Sequence, residues 1–279
     1  MKCLNAYHKK KLLDSNFYKL DFEFNKSKNQ IYLASCLATL GNFDAIDISF
    51  DLELLLKVKE AINNSHKKLK DELNISQNFP LVFVSFEASS FLKLRNQDFK
   101  NSIQVLNDFD IDVIELHIDF FETDLFIGHS NIINENFNGQ TISLRLSRKN
   151  LSNANIIELI KNAKSIFKNN LILEVDGISD FNEDNFNQTL QTISTADIIY
   201  KELNSKVPNT KRIPILLCGG TNSYTSKLAE QCKVPYGGIS FNLNYLRIFK
   251  NLQKYNENLL TNKKLFLEAI NDLRNKFFN

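Results

Sequence analysis

Glycine is scarce in this chain. It occurs 8 times in 279 residues, and four of these, Gly219, Gly220, Gly237 and Gly238, fall between positions 219 and 238. Proline (4), methionine (1) and tryptophan (0) are scarcer still. A composition so poor in breakers excludes collagen-like and linker-like chains. The four cysteines, Cys3, Cys36, Cys218 and Cys232, include no C-x-x-C spacing. That argues against zinc or iron–sulfur ligand sets, so no metal and no cofactor is expected. No apolar run reaches the ~18 residues that a membrane span needs. The opening MKCLNAYHKKKLLDS lacks the apolar core of a secretory signal. Neither sign of charge dominates, with 34 basic against 32 acidic residues and a net charge of +2. That balance leaves no electrostatic footprint for nucleic acid. The expectation is a cytoplasmic protein with reduced thiols and with neither nucleic acid nor membrane as a partner.

What is present is core-building material, 43% hydrophobic, arranged in alternating segments. Strand-like stretches lie at 18–24, 45–50, 81–87, 113–119, 141–147, 171–177, 213–218 and 238–242, and a further short one, ADIIYKEL, at 196–203. Helix-spaced apolar residues fill 31–40, 52–62, 99–109 and 156–167, and a helix-like segment follows Gly219-Gly220. NYLRIFKNLQKY and KKLFLEAINDLRNKFF read as closing helices, the latter with Leu265, Phe266, Ile270, Leu273 and Phe277 on one side to cover the barrel or mediate a dimer. This order predicts an α/β fold, a (β/α)8 TIM-barrel-like single domain over 1–279, with its core at about 17–250 and a helical extension at 251–279. An open doubly wound sheet is the alternative.

The period inside the strands discriminates between the two. Strands covered on both faces are apolar throughout. These alternate instead. Ile114, Leu116 and Ile118 oppose Glu115, His117 and Asp119; Leu20 and Phe22 oppose Lys19, Asp21 and Glu23. Asp47, Arg145, Glu174 and Asp176 fall on the same polar side of their own strands, and Ser143 beside Arg145. In a barrel, that side points to the axis. The chain is therefore expected to have a polar, acid-rich interior built from Asp21, Glu23, Asp47, Glu87, Glu115, Glu174 and Asp176 against Lys19, Arg145 and His117. Such charges must be paired or solvated.

Several groups carry chemistry. Glu115 and His117 share a face and can serve as a general base with its orienting partner, or as a structural network with Arg145 paired to Glu115. Gly219, Gly220, Thr221 and Asn222 follow strand seven, where barrels often hold phosphate, and can donate to an anion. The structural alternative is a tight turn, with Thr221 or Asn222 capping the next helix. Cys218 and Cys36 read as core thiols. The lysine-rich stretches Lys9–Lys11 and His66–Lys70 read as solvated faces.

Four stretches carry a resemblance to a known family. They are FYKLDFEFNKSKNQIYLASCLATLGNFDAIDISFDLELLLKVKEAI, PLVFVSF, DVIELHI, and LLCGGTNSYTSKL followed by GGISFNLNYLRI. Across roughly 17–250 the chain resembles the cyanobacterial light-dependent period protein A (LdpA) family, above all its C-terminal domain and its GGTN-x-x-T signature. The resemblance implies a regulatory or scaffold protein tied to redox or light input to the circadian clock, with a protein partner or a small anionic ligand. Two of its departures from the family pattern bear most on function. Family members carry a cysteine-rich, iron–sulfur-binding segment after the third strand, and 86–111 holds no cysteine here. The family's glycine after strand eight is replaced by Asn242-Leu243, which crowds backbone approach to an anion. The expectation is a cluster-less relative. The competing reading is an isomerase- or lyase-type enzyme for a phosphorylated substrate.

Overall fold

The computed structural model describes residues 4–22, 27–87, 96–109, 111–118, 141–147, 154–168, 170–176, 185–204, 212–219, 221, 224–242 and 258–277. Eight parallel strands follow one another in sequence order round a closed barrel. They are β1 (Phe17–Asp21), β2 (Ala45–Ser49), β3 (Leu81–Glu87), β4 (Val113–Ile118), β5 (Thr141–Ser147), β6 (Leu171–Asp176), β7 (Ile215–Cys218) and β8 (Gly238–Asn242). The helices are α1 (Ala6–Leu13), α2 (Lys28–Leu40), α3 (Leu52–Leu73), α4 (Asn96–Asp108), α5 (Ala154–Phe167), α6 (Asn185–Asn204), α7 (Thr225–Gln231) and α8 (Lys263–Phe277). This is the (β/α)8 fold that the strand–helix alternation predicts.

The two-residue period explains where the core lies. Ile114, Leu116, Ile142, Leu144, Leu146, Leu173 and Val175 form apolar rows that are wholly buried. The intervening residues form the polar rows. Parallel register brings Glu115 beside Ser143, His117 beside Arg145, and Arg145 beside Glu174.

Contacts divide the chain into two compact units, Met1–Phe17 with Phe83–Ser240, and Tyr18–Val82 with Phe241–Asn279. In the second unit, α2 starts at a capping box in which Ser27 and Gln30 satisfy each other's backbone N–H groups. Asp51 caps α3 through the Glu53 and Leu54 N–H groups, and Asn74 ends it in the left-handed conformation at φ 52°. Helix α2 packs on α3 and on α8. From α8 it is Phe266, Ala269, Ile270 and Leu273 that are buried, so this helix covers the core of its own unit. His66 is not part of a purely solvated face: its ring stacks on Phe79 at 3.8 Å and 7°.

In the first unit, α1 is a helix that sequence periodicity alone does not announce. Asn5 caps it by accepting from the His8 N–H, and it buries His8 and Leu12. The segment 196–203 is not a strand but the end of α6. Thr192, Ala196, Ile199 and Leu203 recur at helical spacing and are all buried. That packing outweighs the strand propensity of the β-branched Ile198-Ile199 pair. The segment NYLRIFKNLQKY lies outside the described residues, as do Glu23 and Asp119.

Candidate functional site

Three neighbouring strands of the first unit carry the acid–base set. Glu115 and His117 come from β4, Ser143 and Arg145 from β5, Glu174 and Asp176 from β6. His117 Nε2 lies 2.9 Å from Glu115 Oε1. Arg145 Nη1 lies 3.7 Å from the same oxygen. Arg145 Nη2 donates to Asp176 Oδ2 at 3.1 Å. Beneath them Ser143 Oγ donates to Glu174 Oε1 at 3.1 Å. A charge chain thus runs imidazole–carboxylate–guanidinium–carboxylate across adjacent strands.

Burial is graded along it. The Glu115 side chain is fully buried, whereas His117, Arg145 and Asp176 keep 19%, 17% and 16% of their surfaces exposed. A buried carboxylate needs compensation, and Glu115 has both a guanidinium and an imidazole for it. The exposed members sit towards the C-terminal ends of their strands, where barrels of this class place their sites. With Nε2 turned to Glu115, Nδ1 is the ring's second heteroatom. A carboxylate-held imidazole can move a proton, and a held guanidinium can meet an anion.

The second unit has its own buried pair. Lys19 Nζ meets Asp47 Oδ2 at 2.7 Å with side chains 0% and 1% exposed. Asp21 is half-buried on the same strand as Lys19. The structure places Lys19 and Asp47 together, as the alternation predicts, in a dry ion pair rather than an accessible one. Glu87 lies on β3, but its side chain is outside the described set.

The GGTN turn is anchored on both sides. Gly219 has φ 71°, a conformation in which glycine costs nothing. Thr192 Oγ1 donates to the carbonyls of Cys218 and Gly219 at 3.0 Å each. Thr221 is buried, and its hydroxyl donates to the Ser240 carbonyl at 2.5 Å. Thr221 therefore does not cap the following helix. Helix α7 starts at Thr225 with Tyr224 at the N-cap and no side-chain cap. Gly220 and Asn222 lie outside the described residues. The role of Thr192 was not read from the sequence, though Thr189, Thr192 and Thr195, spaced by three along α6 and all buried, were a visible signal. Cys218 is buried. Burial pushes the Cys36 thiol up to about 12, so that thiol is a core group without a nucleophile's thiolate.

Among the described residues, no cluster of three or more histidine, cysteine, aspartate or glutamate side chains is arranged to hold a metal. Among them, no helix is long and apolar enough to cross a membrane.

A closed eight-strand barrel with ionisable groups towards the C-terminal strand ends defines the class: a (β/α)8 barrel protein. No family model and no curated protein matches the chain. Solved structures of the same fold are similar to it. The truncated 3-deoxy-D-arabino-heptulosonate 7-phosphate synthase from Thermotoga maritima is 15% identical, with a TM-score of 0.50 over 81% of this chain and 74% of that one. Dihydrodipicolinate synthase from Oceanobacillus iheyensis is 11% identical, with a TM-score of 0.52 over 96% and 79%. The carboxyl transferase domain of Rhizobium etli pyruvate carboxylase is 8% identical, with a TM-score of 0.56 over 85% of this chain and 41% of that one. At such identities the likeness is one of fold.

Proposed function

We propose that the protein is a small-molecule enzyme of the isomerase or lyase type, acting on an anionic substrate over the strand ends of β4, β5 and β6. The observation that carries this reading is the convergence there of His117, Glu115, Arg145 and Asp176. His117 is the acid–base group. Glu115 fixes its tautomer and balances the imidazolium that forms when it takes a proton. Arg145, held in place by Asp176, meets the phosphate or carboxylate of the substrate. The proton moved is one next to a carbonyl, taken up by His117 and returned at the neighbouring carbon or lost with a leaving group.

The test is hydrogen exchange. A panel of phosphorylated and carboxylated sugars and keto acids is incubated with the protein in D2O, and loss of C–H signal is followed by proton NMR. We expect exchange of at least one member, reduced about 10²- to 10⁴-fold in His117→Ala. Arg145→Met is expected to raise the apparent KM more than it lowers kcat. No exchange with any member, or exchange that survives His117→Ala, overturns the reading.

A second reading is a regulatory or scaffold protein of the LdpA kind, binding a protein partner without turnover, in a pathway of light or redox input to a clock. The mutual compensation of Lys19 with Asp47 and of Arg145 with Glu115 and Asp176 favours it, since paired interior charges can hold a barrel without any ligand. Under that reading the NMR panel is silent, and His117→Ala affects stability alone.

A further inference from the structure

Two basic side chains meet one oxygen in the β4–β5–β6 set. His117 Nε2 lies 2.9 Å and Arg145 Nη1 lies 3.7 Å from Glu115 Oε1. The longer contact is the guanidinium's, and its other arm is held by Asp176 Oδ2 at 3.1 Å. Arg145 thus stands between two carboxylates, one of which it shares with the imidazole. What either base gains from Glu115 depends on where the other one stands.

Charge balance sharpens this dependence. With His117 neutral, the four linked side chains hold one positive and two negative charges. Glu174 adds an acidic group beneath them, where its Oε1 accepts from Ser143. An anion that reaches Arg145 therefore meets a guanidinium already balanced, and leaves the set a further positive charge short. His117 is the member of the set that can make up the difference, by taking a proton against Glu115 Oε1. Burial keeps the effect undiluted: the Glu115 side chain is 0% exposed, and charges so placed are little screened. Charged groups come to His117 from both flanking strands. Arg145 is its register partner on β5. Glu87 is its register partner on β3, with a side chain outside the described residues. Asp176 and Glu174 lie one strand beyond Arg145, on β6.

We propose that an anion held by Arg145 raises the proton affinity of His117 through the shared Glu115 Oε1, a coupling that rests on Arg145 being the anion contact of the proposed reaction. The ligand class is a phosphate, sulfate or carboxylate group. Such an anion draws Nη1 off the shared oxygen, and the carboxylate turns to the imidazole. The charged end of the substrate thereby strengthens the base that attacks its carbon, so that binding at the non-reacting end acts at the reacting one. Linkage makes the effect reciprocal: a proton on His117 tightens the anion by the same factor.

The experiment is titration of the full chain with sulfate, which keeps one charge state between pH 5 and pH 8. Calorimetry at both pH values gives the Kd, and proton NMR at pH 7 follows the His117 ring signal, identified by its loss in His117→Gln. The expected result is one-to-one binding that is about fivefold or more tighter at pH 5. Added sulfate is expected to move the His117 signal towards its protonated position. Arg145→Met abolishes binding. Glu115→Gln still binds sulfate, but the difference between the two pH values shrinks to about twofold or less. His117→Gln repeats that loss of pH dependence if Glu115→Gln fails to fold. Sulfate that binds through Arg145 with the same Kd at both pH values, or without moving the His117 signal, overturns the coupling and leaves Arg145 as an anion contact. Full pH dependence kept in His117→Gln also overturns it. No sulfate binding at either pH, or unchanged binding in Arg145→Met, overturns both the coupling and the anion contact on which it rests.

Discussion

At the scale of the single residue, His8 is a buried imidazole in the first unit. It is 1% exposed, and neither ring nitrogen has a hydrogen-bond partner among the described residues. Its neighbours are aromatic edges: Tyr7 at 5.1 Å and 80°, Phe17 at 6.3 Å and 72°. Burial, assisted by Lys11 on the same helix, lowers its pKa to about 4. The unfolded chain titrates near the ordinary value of 6.5. Because the folded pKa lies below the unfolded one, stability is full above pH 6.5 and falls as pH drops towards 4. At ~1.4 kcal/mol per unit, this shift corresponds to a loss of about 3 kcal/mol across that window. His8→Phe keeps the edge contacts and removes both unsatisfied nitrogens. It is expected to stabilise the protein by about 1 kcal/mol at pH 7. It is also expected to flatten the fall in Tm between pH 6.5 and 4, as thermal melts across that range will show; an unchanged slope would place the acid sensitivity elsewhere.

At the scale of the element, the Lys19–Asp47 pair links β1 to β2 with no solvent to soften it. Removing one partner strands a charge, so Lys19→Met or Asp47→Leu alone is expected to cost about 3–5 kcal/mol. The Lys19→Met/Asp47→Leu double variant is expected to recover most of that loss in urea titrations; strict additivity would mean that the two groups do not act as a pair. How well the sequence foretold each element tracks how local its signal is. Strands such as β4 and β5 were legible because they carry their own alternation, and Glu115, His117 and Arg145 came with them. The pairing of Arg145 with Glu115 was legible from neighbouring strands, but the Arg145–Asp176 contact needed the observed register. Helix α1 was not legible, since AYHKKKLL reads as a charged surface and only packing reveals that His8 and Leu12 point inward. The end of α6 was misread because two β-branched residues outweigh a helical period inside a short window. The Thr221–Ser240 and Thr192–Gly219 bonds join segments 19 and 27 residues apart, and nothing in either segment names the other.

At the scale of the whole molecule, closure of the barrel rests on one missing side chain. A Cβ placed on Gly238 would collide with the Phe17 carbonyl and crowd the Phe17 Cβ at 2.7 Å. Both obstacles are backbone or nearly so and cannot rotate away. Gly238→Ala is therefore expected to cost more than ~3 kcal/mol, seen as a lower urea midpoint. Gly237→Ala meets the Leu12 carbonyl at 2.8 Å, a clash of the same kind. The same closure has a temporal side. Ser15 waits for Tyr236, 221 residues later, before its hydroxyl finds a partner. At about 5–20 residues per second on the ribosome, those 221 residues take roughly 10 to 45 s to synthesise. Throughout that interval, the nascent chain carries Ser15 without the carbonyl it meets in the folded unit. The Ser15–Tyr236 bond is thus one that only a nearly finished chain can close.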